Sequence, residues 1–217
     1  MSVVHIVLGS PDKQNILPEK NLEDIYVGVD RGGLFLVEKG YTPDLVLGDF
    51  DSITEQEKRL IENNAQKVIP FKPEKDDTDA ELSLVYAEKL FDVEKIYLYG
   101  WAGGRIDHLM STLMIPLQPR FEQLVSKLIF VDQTNSIHFY SSGEYSVQQE
   151  TDKQYCSIIG LTPIEEMTIG DGFKYTVSDT NYDYPIALIS NEFIEPHAYF
   201  SFKKGLIAFI QSRDNTI

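Results

Sequence analysis

The secondary-structure pattern of this 217-residue sequence changes once along the chain. Up to about residue 132, short β-rich runs such as "VVHIVLG", "IYVGVD" and "KIYLYG" alternate with helix-like runs such as "TDAELSLVYAEKLF". Such alternation predicts a mostly parallel sheet covered by helices on both faces. From residue 133 onward, β-rich runs are separated by Gly, Pro, Asn and Asp, and long helical patterns are absent. We therefore predict an α/β domain over residues 1–132 and an all-β domain, a sandwich or small barrel, over residues 133–217.

Several local signals refine this outline. Thr78 and Glu81 have the spacing of a capping box and predict the start of a strong helix. Leu82, Val85, Tyr86 and Lys89 then follow a helical period, with Lys89 expected at the polar margin. The run "EQEKRLIENN" is amphipathic, and we expect both its Leu and its Ile to face inward. In the second domain, "SIHFYSSGEYSVQQ" is typical of a hairpin that turns at Ser-Ser-Gly.

Charge and cysteine content restrict the function classes. The net charge is −15 and the estimated pI is 4.6, so the surface should repel nucleic acid and anionic membranes. Cys156 is the only cysteine, which excludes an intrachain disulfide and a CxxC motif. The N-terminus lacks a cationic start and a long apolar segment, and no run reaches the ~18 apolar residues of a spanning helix. We expect a cytoplasmic protein with neither nucleic acid nor membrane as a partner.

Acidic residues follow the predicted strands of the first domain. Asp30 ends one strand, Asp49 and Asp51 follow "DLVLG", Asp79 belongs to "KDDTD", and Asp107 belongs to "GGRIDH" after "KIYLYG". In open α/β sheets, ligands bind beyond the carboxyl ends of the strands. If the sheet is parallel, all four turns open on the same edge.

Acids at helix starts also have an ordinary explanation. Their interaction with the helix dipole contributes about 0.3–1 kcal/mol each. That account competes with a functional role for Asp76 or Asp77 alone, and Asp51 or Ser52 could also cap the helix before Glu55. It does not explain well Asp49 and Asp51 together with Asp107. Carboxylates converging to ~4 Å would repel by roughly 4 kcal/mol per pair, and a divalent cation removes this penalty. Oxygen ligands without cysteine favour Mg²⁺, which takes its remaining oxygens from water and substrate phosphates, so we predict a nucleotide phosphate with Mg²⁺.

Candidate anion donors lie near the same turns. "DRGG" and "WAGGRID" supply glycine backbone at helix N-termini, although a glycine pair more often marks a turn and neither run fits the Walker or dinucleotide pattern. Arg105 can make forked bonds to phosphate. Arg31, Lys72 and Lys75 are secondary candidates. His108 is either a base or, as we prefer, a helix-start histidine satisfied by a neighbouring acid.

In combination, these motifs resemble the thiamine pyrophosphokinase family. The matching pieces are "GVDRGG", "PDLVLGDFDSI", "KDDTDAELSL", "YGWAGGRIDHLMSTL" and, in the second domain, "SIIGLTP", "GFKYTV" and "ISNEF". They occur in the order of the family and extend over most of the chain. "GDFDS" alone is a modest signal, but its spacing from "KDDTD" and "GGRIDH" makes the match specific.

The resemblance implies transfer of the terminal pyrophosphoryl unit of ATP to the hydroxyethyl oxygen of thiamine, giving thiamine diphosphate and AMP. It implies an α/β nucleotide-binding domain, a β-sandwich, and a homodimer with thiamine near the subunit interface. By resemblance, Asp49, Asp51 and Asp79 would surround Mg²⁺ and the phosphates. Asp107 would assist at the same site and Arg105 would hold phosphate.

The resemblance also assigns the two substrate pockets. The residues that would contact ATP, besides Arg105, are Asp30, Arg31, Gly32, Gly33, Lys75, Gly103 and Gly104. Ser190 and Asn191 would reach the thiamine pyrimidine, with Tyr175 stacking or packing beside them. Each has an ordinary alternative, because "SN" between strands is a common turn signal and Tyr175 by itself is typical of a β-domain core.

Two other functions fit parts of the sequence. "LVLGDFDSI" is similar to the apolar strand and DxDx[ST] motif of haloacid dehalogenase-type phosphohydrolases, with Asp49 as the nucleophile. Two predicted strands precede this motif here, whereas that family usually begins with it. The second alternative is a non-catalytic sensor of nucleotide or thiamine, and the complete set of acids argues against it.

Overall fold

The computed structural model describes residues 1–10, 16–72 and 76–214. The chain forms two compact units. The first consists of Met1–Ile115 with Phe130–Gln133, and the second of Pro116–Ile129 with Thr134–Ile217. Within the described residues, no helix combines the length and apolar character needed to span a membrane.

The first unit alternates strands and helices as predicted. Its strands are β1 Ser2–Val7, β2 Ile25–Val29, β3 Leu45–Gly48, β4 Val68–Pro70 and β5 Val93–Tyr99. Its helices are α1 Arg31–Glu38, α2 Glu55–Asn64, α3 Asp79–Leu90 and α4 Ile106–Met114.

Parallel pairing organises this unit. The five strands lie in the order β4-β3-β2-β1-β5, and every neighbouring pair is parallel. Leu45, Val46 and Leu47 of β3 are completely buried, as expected for a strand covered on both faces. The chain moves outward from β1 to β4 and then returns to the other side of β1 at β5. This reversal creates a switch point beyond the carboxyl ends of β1 and β5.

Two glycines let α1 pack closely on the sheet. A Cβ at Gly32 would lie 1.9 Å from the carbonyl oxygen of Val7, and one at Gly33 would lie 2.5 Å from a methyl carbon of Val46. Both glycines are buried. The glycine pair of "DRGG" therefore has a packing role that any side chain would obstruct.

Capping boxes start two of the helices. The Thr78 hydroxyl accepts from the amide of Glu81, whose carboxylate accepts from the amide of Thr78, as predicted. Thr54 and Glu57 form the same arrangement at α2. Each box satisfies backbone donors that the first turn leaves without an intrahelical partner.

The expectation that both Leu60 and Ile61 face inward was wrong for Leu60. Ile61 of α2 is completely buried, but Leu60 is 41% exposed. In α3 the buried positions include Ala80, Ser83, Leu84 and Ala87, whereas Leu82, Val85 and Tyr86 are half-buried and Lys89 is exposed, as expected for the polar margin. Small side chains on the inner face allow close packing, and a ranking by hydrophobicity overlooks them.

The second unit consists mainly of antiparallel strands. Three short 3₁₀ turns and β6 Leu128–Val131 lead into it. Its strands are β7 Asn135–Gln148, β8 Tyr155–Gly160, β9 Ile164–Ile169, β10 Val177–Tyr182, β11 Ile186–Asn191 and β12 His197–Ser212. This β-rich unit and the parallel α/β unit confirm the predicted fold class.

The long strand β12 organises the second unit. It pairs with β7 along most of its length, with β9 near its beginning and with β8 near its end. β10 extends the pairing from β9, and β11 extends it from β8. A buried cluster that includes Phe200, Phe209 and Cys156 fills the core. Burial raises the pKa of the Cys156 thiol to about 12, so this cysteine is a core residue.

The predicted hairpin at Ser-Ser-Gly was wrong. β7 continues through this triplet, and Gly143 lies opposite Phe202 of β12. The irregularity falls on β12 instead, where the register shifts between Phe202 and Leu206 around Gly205. Gly205 has a φ of 115°, a conformation that favours glycine.

A buried histidine joins three strands of the parallel sheet. His5 is 5% exposed and stacks between the rings of Tyr26 and Tyr97. Its Nε2 lies 3.1 Å from Oδ2 of Asp24, and its Nδ1 lies 3.1 Å from the hydroxyl of Tyr99. A neutral ring satisfies both contacts, since Nε2–H donates to Asp24 and Nδ1 accepts from Tyr99. Burial lowers the pKa of His5, and Asp24 opposes this shift only in part.

This histidine predicts a pH-dependent stability. Because the pKa is lower in the folded state than its usual 6.5, the stabilisation is complete above pH 6.5 and is lost as the pH falls toward the folded value. We expect the Tm of wild type to fall between pH 7.5 and pH 5.5 more steeply than that of His5→Gln. Differential scanning fluorimetry across this range checks it, with the exposed His197→Gln as the control. Parallel curves for wild type and His5→Gln would contradict the expectation.

Candidate active site

The four acid-bearing turns follow strands β2, β3, β4 and β5. Because these strands belong to one parallel sheet, their carboxyl ends lie on the same edge. This confirms that the four turns open on one edge. It is also the edge at which α/β sheets bind ligands.

A buried phenylalanine determines the geometry of the "GDFD" turn. Phe50 is 6% exposed and packs with Leu34, Val46 and Ile61. Its backbone has a φ of 60°, which is unusual for a bulky residue. Because Phe50 enters the core, the side chains on either side of it do not, and Asp49 is half-buried while Asp51 is exposed.

The two aspartates of this turn have different environments. Asp49 is half-buried, and its Oδ1 accepts from the amide of Asp51 at 3.1 Å. Asp51 is exposed. A bond from a side chain to the backbone two residues later is typical of turns, and it directs the Asp49 carboxylate toward Asp51.

Asp30 connects the first turn to the second. It precedes α1 with a φ of 49°, and its amide donates to the carbonyl of Leu47 at 2.8 Å. Its Oδ1 accepts from the amide of Phe50 at 3.2 Å. A Cβ at Gly48 would lie 1.8 Å from that oxygen, so glycine leaves the space that the carboxylate occupies. Asp30 therefore supports the backbone that carries Asp49 and Asp51.

The third turn leads into α3. Asp79 is the first residue of this helix and is half-buried. Its position in the first turn is also favourable for the helix dipole. Lys75 lies outside the described residues, and the nearby Lys72 is exposed.

The fourth turn carries an ion pair. Nε of Arg105 donates to Oδ1 of Asp107 at 3.1 Å, and Nη2 donates to Oδ2. Oδ1 also accepts from the amide of His108 at 3.0 Å. The hydrogen bonds from Arg105 hold the pKa of the Asp107 carboxyl below its usual range. Both side chains are mostly exposed, and the guanidinium has further N–H groups for another anion.

The two glycine-rich segments differ in exposure. Gly32 and Gly33 are buried behind the exposed Arg31, whereas Gly103 and Gly104 are exposed and Gly103 has a φ of 89°. The second segment therefore has the accessible backbone that an anion requires.

The sequence-based prediction overlooked the support for that second segment. The hydroxyl of Ser10, after β1, donates to the carbonyl of Ala102. The indole of Trp101 donates to the carbonyl of Val131 at 3.2 Å. These contacts fix the loop at the switch point. Ser10 had no motif to identify it, but Trp101 is the only tryptophan of the chain and lies in "YGWAGGRIDHLMSTL".

The donor chemistry of the acidic edge fits magnesium. Asp49 and Asp51 offer only oxygen ligands, and Mg²⁺ commonly uses one or two carboxylates together with water and phosphate oxygens. Outside residues 11–15, 73–75 and 215–217, no three acidic, histidine or cysteine side chains are arranged to hold a metal by themselves.

The remaining candidate residues belong to the second unit. Tyr175 is 58% exposed. Ser190 is exposed and has a φ of 59°, and its amide donates to the hydroxyl of Ser157 at 3.1 Å. Asn191 is half-buried, and its side chain bonds to the backbone of Tyr175. Tyr175 and Asn191 are therefore brought together directly.

Two family models match this chain in two separate ranges. A family model described as "Thiamin pyrophosphokinase, catalytic domain" matches residues 19–128. A second, described as "Thiamin pyrophosphokinase, vitamin B1 binding domain", matches residues 144–207. All four acid-bearing turns lie in the first match, and Tyr175, Ser190 and Asn191 lie in the second.

Relatives match over the full length of the chain. The thiamine pyrophosphokinase of Bacillus subtilis is 35% identical, and the alignment covers 99% of this chain and all of that protein. A crystal structure of a thiamin pyrophosphokinase family protein from Enterococcus faecalis has a TM-score of 0.93 at 38% identity, covering 99% of this chain and all of that one. The crystal structure of the Bacillus subtilis protein has a TM-score of 0.82 at 33% identity, covering 98% of this chain and all of that one. The chain therefore belongs to the thiamine pyrophosphokinase family.

Proposed function

We propose that this enzyme transfers a pyrophosphoryl group from ATP to thiamine in a Mg²⁺-dependent reaction. The hydroxyethyl oxygen of thiamine forms a bond to the β-phosphorus, and the bond between that phosphorus and the oxygen bridging it to the α-phosphorus breaks. AMP leaves with the bridging oxygen, and the hydroxyl proton is released. The products are thiamine diphosphate and AMP.

One observation carries this proposal. Four acid-bearing turns lie on one edge of a parallel sheet within the match to the catalytic domain, and the match to the vitamin B1 binding domain follows in the same chain. Phosphoryl transfer requires alignment and charge neutralisation more than covalent participation by the protein. A cation-binding acidic edge supplies that requirement.

The chain's own residues then have distinct roles. Asp49, Asp51 and Asp79 would contribute oxygen ligands to a Mg²⁺ ion that also takes water and phosphate oxygens, and the bound ion would neutralise phosphate charge. Arg105 donates to a phosphate oxygen while Asp107 orients its guanidinium.

Backbone and cationic groups complete the nucleotide site. The exposed amides of Gly103 and Gly104 approach the phosphates of ATP. The rest of the ATP site is formed by Asp30, Arg31, Gly32, Gly33 and Lys75. Among these, Gly32 and Gly33 contribute by bringing α1 close to the sheet.

The second domain binds the acceptor. We infer that residues 1–132 form the catalytic part and residues 133–217 the thiamine-binding part. Tyr175, Ser190 and Asn191 contribute to the thiamine pocket. Thiamine carries a cationic thiazolium, so the chain's charge of −15 favours its approach. The expected cytoplasmic location stays a prediction.

A direct assay separates this function from the two alternatives. ATP and thiamine are incubated with the enzyme, with and without Mg²⁺, and products are measured by mass spectrometry. Formation of AMP and thiamine diphosphate that needs both substrates supports the proposal. A phosphorylated Asp49 intermediate would favour a phosphohydrolase, and binding without turnover would favour a sensor. The family match already supports transfer over both.

The acidic edge yields the first activity prediction. We expect Asp49→Asn and Asp79→Asn each to lower kcat by about 100-fold or more, because charge neutralisation in the transition state is lost. Steady-state kinetics at saturating substrates, with Tm measured in parallel, checks this. Glu62→Gln on the exposed face of α2 removes the same charge away from the edge and should remain near wild type. Near-normal turnover in both aspartate variants would contradict the assignment.

The exposed face of α4 supports the expected homodimer. Ile106, Met110 and Met114 recur every four residues and are 72%, 45% and 49% exposed. Residues at this spacing share one helix face, and an apolar stripe in water is typical of a protein interface. We infer that this face packs against a second copy of the chain. Because α4 begins beside Asp107, the contact would lie near the active site.

This interface predicts a specific loss of assembly. Met110→Glu places a charge in the apolar stripe, so the dimer should dissociate at concentrations at which wild type stays associated. Analytical ultracentrifugation over a concentration series measures this. Leu60→Glu, which charges an exposed apolar position of α2, is the matched control and should leave association unchanged. A wild type that is monomeric and fully active throughout would refute the interface.

A further inference from the structure

A short antiparallel ladder precedes Tyr175 in the second unit. The amide of Ile194 donates to the carbonyl of Gly172 at 2.9 Å, and the amide of Lys174 donates to the carbonyl of Glu192 at 2.9 Å. Between these bonds, Phe173 pairs with the residue opposite it in an isolated bridge. Two irregular segments are thereby held as a ribbon at the end of β11.

At the next position of the ladder, the Asn191 side chain, instead of a backbone segment, bonds to the backbone of Tyr175. Ser190 has a φ of 59°, and the pairing of β11 with β8 shifts register between Leu188 and Asn191. Oδ1 of Asn191 accepts from the amide of Tyr175 at 2.9 Å, and Nδ2 donates to the carbonyl of Tyr175 at 2.8 Å. The primary amide of the side chain thus makes both bonds that the backbone N–H and C=O of a paired residue would make.

This arrangement uses most of the hydrogen-bonding capacity of Asn191. Its Oδ1 also accepts from the amide of Glu192 at 2.9 Å, so both lone pairs of the oxygen are occupied. The Nδ2 group retains one further N–H. The side chain is therefore suited to holding Tyr175 in place, and its oxygen is not available to a ligand.

The held residue presents an aromatic ring to solvent. Tyr175 is 58% exposed although its backbone is bonded on both sides. Lys174 lies with its ammonium 5.4 Å from the ring centroid, and its charge is paired with Oε1 of Glu192 at 2.7 Å. A fixed aromatic face of this kind suits a flat, cationic heteroaromatic ligand.

We propose that Asn191 is a positioning residue that acts on thiamine through Tyr175. It fixes the backbone of Tyr175 so that the ring forms a preorganised stacking surface for an aromatic ring of thiamine. This inference rests on the proposed function, since it requires thiamine to bind the second unit. It differs from the expectation that Asn191 contacts the pyrimidine itself.

A double-mutant cycle tests the inference. Wild type, Asn191→Ala, Tyr175→Ala and the double variant are assayed for KM of thiamine, KM of ATP and kcat. Loss of one aromatic contact should raise the thiamine KM about three- to tenfold in Tyr175→Ala and in Asn191→Ala, with the ATP KM unchanged. The double variant should be no worse than Tyr175→Ala alone, because the second change has nothing left to position.

Further variants keep the test decisive. Tyr175→Phe should retain the wild-type thiamine KM, because the ring remains. Tyr184→Ala and Tyr199→Ala remove other exposed tyrosines of the same unit and should have no effect. Asn191→Asp keeps the acceptor oxygens but loses the donor to Tyr175, and it replaces Asn191→Ala in the cycle if that variant fails to fold.

Hydrogen exchange of the Tyr175 amide supplies a readout without any substrate. Exchange should be slow in wild type and at least about tenfold faster in Asn191→Ala, since the amide loses its acceptor. Multiplicative effects in the double variant would show that Asn191 contacts thiamine independently and would overturn the proposal. Unchanged amide exchange or an unchanged thiamine KM would overturn it as well. An inactive wild type with normal Tyr175 protection would instead refute the proposed function on which the ligand assignment rests.

Discussion

Parallel hydrogen bonding among five short strands is the constraint on which the acidic edge depends. Because β1 to β5 all point the same way, each following turn must open on the same side of the sheet. Neighbouring turns then come within reach of one another, and the Asp30 carboxylate can accept from the amide of Phe50. Glycines at positions 32, 33 and 48 leave the space that this close approach needs.

The "GDFD" turn shows how a strained backbone is retained next to a functional group. A positive φ at a bulky residue costs of order 1–3 kcal/mol. Burial of the Phe50 side chain offsets about 1.5–3 kcal/mol, and the hydrogen bond to Asp30 adds about 0.5–1.5 kcal/mol. The strained turn is therefore sustainable, and its consequence is that Asp49 and Asp51 flank a residue anchored in the core. The second unit uses a comparable device, in which Asn191 takes the place of a paired strand beside the irregular Ser190.

The predictions that rested on residues close together in the sequence were the reliable ones. The capping box of Thr78 and Glu81 formed as predicted, because all of its partners lie within one turn of helix. Predictions that depended on distant neighbours were less secure. Leu60 is exposed because α2 packs against α1 and the core through the face that carries Ile61. The Ser-Ser-Gly triplet stays in β7 because Ser141 and Gly143 both pair with residues of β12. Neither neighbour can be identified from the segment itself.

The sequence alone determined the fold class, the positions of the acidic turns and the family, since these depend on periodicity and on short motifs in a fixed order. The tertiary structure alone decided which groups support those motifs. Asp30 holds Phe50 across 20 residues, Ser10 holds the loop at Ala102 across 92, and Asn191 holds Tyr175 across 16. Such contacts join atoms that are close only after the chain has folded, because strand pairing and core burial, rather than sequence spacing, bring them within hydrogen-bonding distance.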